Sequence, residues 1–412
     1  MWRASSRAIR LGQNIRPIDA LPRSSGLFIH GSVSLEQVAL APPVEWTLIR
    51  PGGRRDHRRA VAFAAASKDG AKRLSASDRD VESMKYGLRL PSYALGKDTA
   101  TLTVMGEYLR KAEDLGFDYA MTIDHLLVTP PVYACTWLEP IALLSALAGV
   151  TRTIKLGTMV LVLPLRNPIH FAKEWATFDV LASGRSVLGV GVGWDHKEFE
   201  LMQVPHNQRG ARMDEMIELL LELWNRNDVT FRGRHFNVEN VTVEPKPLQR
   251  PRPEIWMGGG TQSRDRPGVK SNVESVLRRI AKYADTWIPH ASATADAARS
   301  DWDRLQKLAT DYGRDPRAIG RVYSNFIWVL KKGEPFETAA LHFSVFSGMS
   351  QDYWRSYYLI GTTDEIVDRI CESVASPDNG VNAIILNPAN WSLEQLDLIA
   401  RDVLPKVTQA KG

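Results

Sequence analysis

Two cysteines in 412 residues, Cys135 and Cys371, are too few for a disulfide framework. They also supply no cysteine-based metal pattern, so both read as ordinary, partly buried thiols. No apolar run approaches the roughly 18 residues that a bilayer span requires, and no membrane partner is expected. There is no nucleophile elbow, no Walker loop and no His/Glu cluster at metal-ligand spacing. No bound metal is therefore expected. Acidic residues are scarce only at the start, where Asp19 stands alone among five arginines in the first 35 residues.

That local scarcity explains the overall charge of +5. Residues 1–83 hold 14 Lys and Arg against 8 Asp and Glu, a surplus of six positive charges, which leaves −1 for the remaining 329 residues. The basic excess belongs to a leader with no sustained period, so a nucleic-acid partner for the body loses its main support. The leader reads as an over-extended or disordered start, with Met84 as the true beginning, or as a presequence for organelle import. A cytoplasmic location is expected on the first reading.

What the chain does have is the stretch Ser183–Trp194, in which Gly189, Gly191 and Gly193 alternate with Leu188, Val190 and Val192. On an extended strand this makes one face apolar and the other bare backbone, as where something approaches the backbone closely. The dinucleotide fingerprint does not fit, because its third glycine comes one residue early and a polar stretch precedes the next helix.

From Met84 onward strand and helix patterns alternate. Strands are expected at Lys85–Leu90, Asp118–Ile123, Thr153–Leu163, Arg185–Gly193, Glu254–Met257, Ala284–Pro289, Val322–Leu330 and Val381–Leu386. Helical spacing intervenes at Leu102–Leu115, Trp137–Ala148, Ile169–Leu181, Ala211–Arg226, Val273–Tyr283 and Ala291–Tyr312. Helices are also expected at Thr363–Ser373 and Leu393–Val403. Val229–Val243 reads as a hairpin and Lys331–Gly361 as irregular and aromatic. Eight such units predict a (β/α)8 TIM barrel with loop insertions over residues 84–412; an open doubly wound sheet is the alternative.

In a barrel the chemistry gathers where strands end. That rule selects Asp124 and His125 after the second strand, then Pro164, Arg166 and Asn167 after the third. Trp194, Asp195, His196 and Glu198 follow the fourth, Gly258–Gly260 the fifth and His290 the sixth. His125 suits acid/base work or hydrogen bonding to a ring, or is simply structural. Glu198 reads as solvated unless a ligand sits there, and His196 as a surface residue. Trp194 walls a flat ligand or closes the barrel mouth. Gly258–Gly260 can expose amides to an anion. The set suits a planar organic cofactor with an anionic tail.

The run Ser183–Trp194, followed by Glu198-Phe199, Val204-Pro205, Arg209-Gly210, Arg212-Met-Asp-Glu215 and Leu223-Trp224, resembles the bacterial luciferase-like monooxygenase family. Phe231-Arg-Gly-Arg-His-Phe236, Pro245-Lys-Pro247 and Pro253-Glu-Ile-Trp-Met-Gly-Gly259 continue the resemblance, as do Ala112–Asp118, Asp124-His125 and Leu156–Val160 upstream. It covers Met84–Leu404 and looks most like the branch labelled as using the deazaflavin coenzyme F-420. The resemblance implies a barrel binding reduced FMN or F-420, a small-molecule substrate, a separate reductase and a homodimer. It places Asp124 and His125 beside the ring, Thr158 and Met159 at a strand-three bulge, and Gly191, Gly193 and Trp194 along the ring. Glu198 falls near by, and Gly258 and Gly259 hold the phosphate. Residues Thr261–Ser275 depart from the pattern, being longer than the family's usual link. A non-catalytic flavin-binding barrel and, more remotely, a metal-dependent barrel hydrolase are the alternative readings. Aromatics within Lys331–Gly361 (Phe343, Phe346, Tyr353, Trp354, Tyr357, Tyr358) form either a substrate lid or a packing cluster.

Overall fold

A computed structural model describes residues 84–95, 99–262, 272–374 and 380–411. The leader expected over residues 1–83 lies outside the described residues, as do positions 263–271 of the long link after the fifth strand.

Eight parallel strands succeed one another around a ring. They are β1 (Lys85–Arg89), β2 (Tyr119–Thr122), β3 (Lys155–Thr158), β4 (Ser186–Gly191), β5 (Glu254–Gly258), β6 (Thr286–Ile288), β7 (Gly320–Val329) and β8 (Val381–Pro388). Each pairs with the next, and β8 pairs with β1 in the register Gly87↔Ile385, so the sheet closes. The barrel reading holds and the open sheet does not. A helix follows every strand: α1 (Leu102–Asp114), α2 (Pro140–Ala148), α3 (Pro168–Leu181), α4 (Arg209–Asn225), α5 (Val273–Tyr283), α6 (Ala295–Asp311), α7 (Thr363–Val374) and α8 (Leu393–Leu398).

The two periods of the sequence become two cores. Tyr119, Met121, Val187, Trp256, Val322, Ala383 and Ile385 form one buried cluster drawn from the strands. Strand residues of opposite parity, such as Leu88, Ala120, Leu156, Leu188 and Ile255, pack in a larger cluster with the helices. In α4 the stripe Met213, Met216, Ile217, Leu220, Leu223 and Trp224 is wholly buried there. Each such side chain contributes about 1.5–3 kcal/mol of transfer free energy. Among the helix ends, α1 stops where Gly116 takes φ +85°, a backbone region closed to most side chains. Cys135 is buried, which pushes its thiol pKa up to about 11, and Cys371 is half-buried.

Three expectations need correction. The helix expected from Trp137 begins at Pro140, because the residue before a proline disfavours helical backbone; Glu139 caps it, accepting from the Ala142 amide at 2.7 Å. Thr136–Trp137 instead pairs antiparallel with Tyr93–Ala94. The run Thr153–Leu163 is not one strand: β3 ends at Thr158, the Met159–Val160 peptide is cis, and Leu161–Val162 then pairs with Val190–Gly191. Lys331–Gly361 is not irregular. It holds helices Phe336–Ser344 and Gln351–Tyr357, the second capped by Ser350 on the Tyr353 amide at 3.2 Å.

Candidate functional site

A cavity of about 240 Å3 opens at the strand C-termini. Its walls include Asp124 and His125 from the β2 end, Met159 and Val160 beyond β3, and Gly191, Gly193 and Trp194 from β4. Gly258 and Gly259 join from β5, and His290 and Ser292 follow β6.

The β2 end is tied down by charge. Asp124 is 4% exposed; its Oδ1 accepts from Arg166 Nη2 at 2.9 Å and its Oδ2 from the Val162 amide at 3.0 Å. Burial pushes the Asp124 pKa upward against the pull of Arg166 and that amide. Arg166 also reaches Glu139 at 3.0 Å, so the β2 and β3 loops share one ionic clamp.

Glu198 is not solvated, contrary to expectation. It lies in the short helix His196–Leu201, is 1% exposed, and points one oxygen at three donors. Oε1 accepts from the Leu126 amide at 2.8 Å, the Leu127 amide at 3.3 Å and His125 Nδ1 at 3.1 Å. A carboxylate only accepts, which assigns the proton to Nδ1 and leaves Nε2 as the ring's remaining hydrogen-bonding atom. Tyr133 and Trp194 flank the imidazole with centroids at 5.1 and 5.7 Å. Glu198 therefore acts on the cavity through His125 and does not line it. His196 is exposed and stacks on His206.

The glycines divide by role. An added Cβ at Gly189 would sit 1.8 Å from the Thr158 carbonyl oxygen, and Thr158 Oγ1 donates to Gly189 O at 2.7 Å. Gly189 thus makes room for the neighbouring strand, not for a ligand, and neither it nor Thr158 lines the cavity. At Gly191 a Cβ would meet Val160 Cγ2 at 2.7 Å, on the cavity wall. Gly193 has φ +75°, and its Cβ would strike Val162 and Phe199.

At the β5 end the Gly259 amide donates to Ile288 O at 3.1 Å, and Gly259 O accepts from Trp287 Nε1 at 2.7 Å. The Thr261 amide donates to buried Asp301 at 2.6 Å. The Gly259 amide is thus spent inside the barrel, and a Cβ at Gly258 would meet Val160 Cγ1 at 2.9 Å on the cavity wall. Arg209 and Gln262 line this end as well, and Arg209 Nε is buried without a partner among the described residues. Among the described residues no three His, Cys, Asp or Glu side chains converge as metal ligands.

A family model for luciferase-like monooxygenases matches residues 84–347, most of the barrel just described. The chain belongs to the luciferase-like monooxygenase family. One relative is the FMNH(2)-dependent dimethylsulfone monooxygenase of Pseudomonas putida, 27% identical over 74% of this chain and 88% of that one. Two solved structures share the fold: monooxygenase RslO1 from Streptomyces bottropensis (21% identity, TM-score 0.61, 78% of this chain and 99% of that one) and an F420-dependent secondary alcohol dehydrogenase in complex with an F420-acetone adduct (18%, TM-score 0.62, 79% and 99%).

In this luciferase-like barrel the structure adds wall residues that sequence reasoning passed over: Arg89, Tyr133, Val160, Arg209, Ser324 and Phe326. The strand-end rule applied to β1 singles out Arg89, whereas Ser324 and Phe326 lie inside the long strand β7 and no strand-end rule selects them. Of the expected aromatic lid, Tyr353 and Tyr358 face the cavity, whereas Phe343, Phe346 and Trp354 are buried in the cluster behind them.

Proposed function

We propose that the cavity binds reduced FMN and that the protein is a two-component monooxygenase acting on a small organic substrate. Bound reduced flavin supplies two electrons, so that dioxygen yields one oxygen atom to the substrate and one to water. The observation that carries the reading is the wall itself. Gly191 and Gly258 leave room only as deep as Val160, while His125 and Asp124 stand on the polar side. Such a slot fits a flat ring, and Arg209 and Gln262 at the β5 end suit an anionic tail.

Within this reading the chain's own residues have separate tasks. Asp124 and Arg166 fix the β2 loop. Glu198 holds His125 in one tautomer, so that Nε2 can donate or accept a proton beside the ring. Met159, Val160 and Trp194 keep water from the reacting edge. FMN is preferred to F-420 because the dimethylsulfone monooxygenase is matched along 88% of its sequence, whereas the F420-dependent dehydrogenase is a likeness of fold. A separate flavin reductase, a homodimeric assembly and a cytoplasmic location belong to the same proposal. Among the described residues no helix is long and apolar enough to cross a membrane.

Anaerobic titration of the full chain with reduced FMN and with reduced F-420 tests it. Saturable binding of reduced FMN at micromolar levels is expected, at least tenfold tighter than F-420. Tighter F-420 binding replaces oxygen transfer by hydride transfer; binding of neither ends the reading.

A further inference from the structure

Arg89 is the last residue of β1, and its side chain lines the same cavity. None of the ion pairs among the described residues includes it, and its Nη2 is buried with no hydrogen-bond partner. Its guanidinium lies over the Phe326 ring, 4.6 Å from the centroid. Phe326 in turn packs on Tyr358 at 4.5 Å. A cation held on an aromatic face with a buried donor unsatisfied is a receptor for an oxyanion, because the planar fork matches a carboxylate-like group.

Position separates this cation from the FMN tail. In an eight-strand ring β1 stands opposite β5, roughly 15 Å across the mouth at ordinary strand spacing and tilt. The Arg209 and Gln262 end therefore serves one anion, and Arg89 faces a second from the far side. Phe326 of β7 and Tyr358 lie beside it, with β8 standing between β7 and β1 in the ring. Arg89 also borders a void of about 10 Å3 that it shares with Asn387, whose Oδ1 lacks a partner too. One water fits such a space and satisfies one donor, but it leaves the positive charge uncompensated.

We infer that the substrate of this enzyme carries an anionic oxygen group, bound by Arg89, attached to an apolar or aromatic body that rests on Phe326 and Tyr358. The inference rests on the cavity being the substrate site of the proposed monooxygenase, and it names that substrate's class. Arg89 sets specificity and takes no part in the oxygen transfer.

Matched probes differing only in charge test it on the full chain: benzoate against benzamide, and hexanoate against hexanamide, each titrated by calorimetry at low salt. The acids are expected to bind at least tenfold tighter than the amides. In Arg89→Met that preference falls to within twofold while amide binding stays put; in Arg89→Lys part of it survives. Should Arg89→Met not fold, Arg89→Gln, scored by circular dichroism first, carries the same comparison. Equal binding of acid and amide by the unmodified protein overturns the inference, as does a preference undiminished in the variants. Loss of reduced FMN affinity in Arg89→Met also overturns it, by assigning Arg89 to the cofactor tail. These titrations need no cofactor, so their failure is distinct from a failure of FMN to bind.

Discussion

The two sides of the cavity are built on opposite principles. On the β2–β4 side the two carboxylates are fully engaged: Asp124 with Arg166 and a backbone amide, Glu198 with two amides and His125. On the β1–β7 side a guanidinium rests on an aromatic ring with a donor unspent. A satisfied wall holds its atoms in one geometry before any ligand arrives, which is what a fixed ring and a positioned proton require. An unsatisfied wall gains most when a ligand completes it. The contrast assigns the first side to the cofactor and the chemistry, and the second to the substrate.

The largest effects are expected on the satisfied side. Asp124→Ala leaves Arg166 with Glu139 alone and strips the Val162 amide of its acceptor. Removing one partner of a buried pair costs about 3 kcal/mol or more, so a thermal melt is expected to fall by several degrees. An unchanged melting temperature means that the clamp does not support the fold. Next comes His125→Ala, expected to lower turnover at least 100-fold, in the range of general acid–base catalysis, with reduced FMN still bound. Retained turnover removes the proton role assigned to Nε2. Glu198→Gln should cost less, roughly tenfold in turnover, because the amide still reaches His125 but no longer fixes its tautomer. A changed pH profile with unchanged FMN affinity is its signature; an unchanged profile reduces Glu198 to a structural brace.

Much of the barrel was legible in the sequence, since strand and helix periods are local. The helix Val273–Tyr283 was expected with the bounds found. The cavity was legible only where a motif announced it. The strand-end rule, applied to the second through sixth strands, found Asp124, His125, Trp194 and Gly258, while Gly191 came from the glycine pattern and the resemblance; Arg89 on the first strand and Phe326 within the seventh were left out. The glycine run misled in a different way. Period 2 puts Gly189, Gly191 and Gly193 on one face, yet β4 ends at Gly191, Gly193 turns to φ +75°, and what Gly189 and Gly191 meet depends on where β3 breaks, which strand period does not register. Gly189 meets a carbonyl 1.8 Å from its missing Cβ, whereas Gly191 meets a side chain that can move. Gly189→Ala is therefore a lesion of the fold. Gly191→Val, which drives Val160 into the cavity, should weaken FMN binding far more than it lowers the melt.

The smallest effect sharpens the contrast most. Phe326→Leu keeps an apolar side chain beneath Arg89 and removes only the aromatic face. At a partly exposed site such a cation–π contact is worth about 0.5–1 kcal/mol, a two- to fivefold change at about 1.4 kcal/mol per tenfold. The variant should bind reduced FMN as before. Its preference for benzoate over benzamide should fall by that factor. If FMN affinity falls instead, Phe326 belongs to the cofactor wall, and the division between a satisfied and an unsatisfied side does not follow the strands as drawn. If the preference rises, the ring was competing with the anion for Arg89, and the cation is held back from its ligand by the very face that positions it.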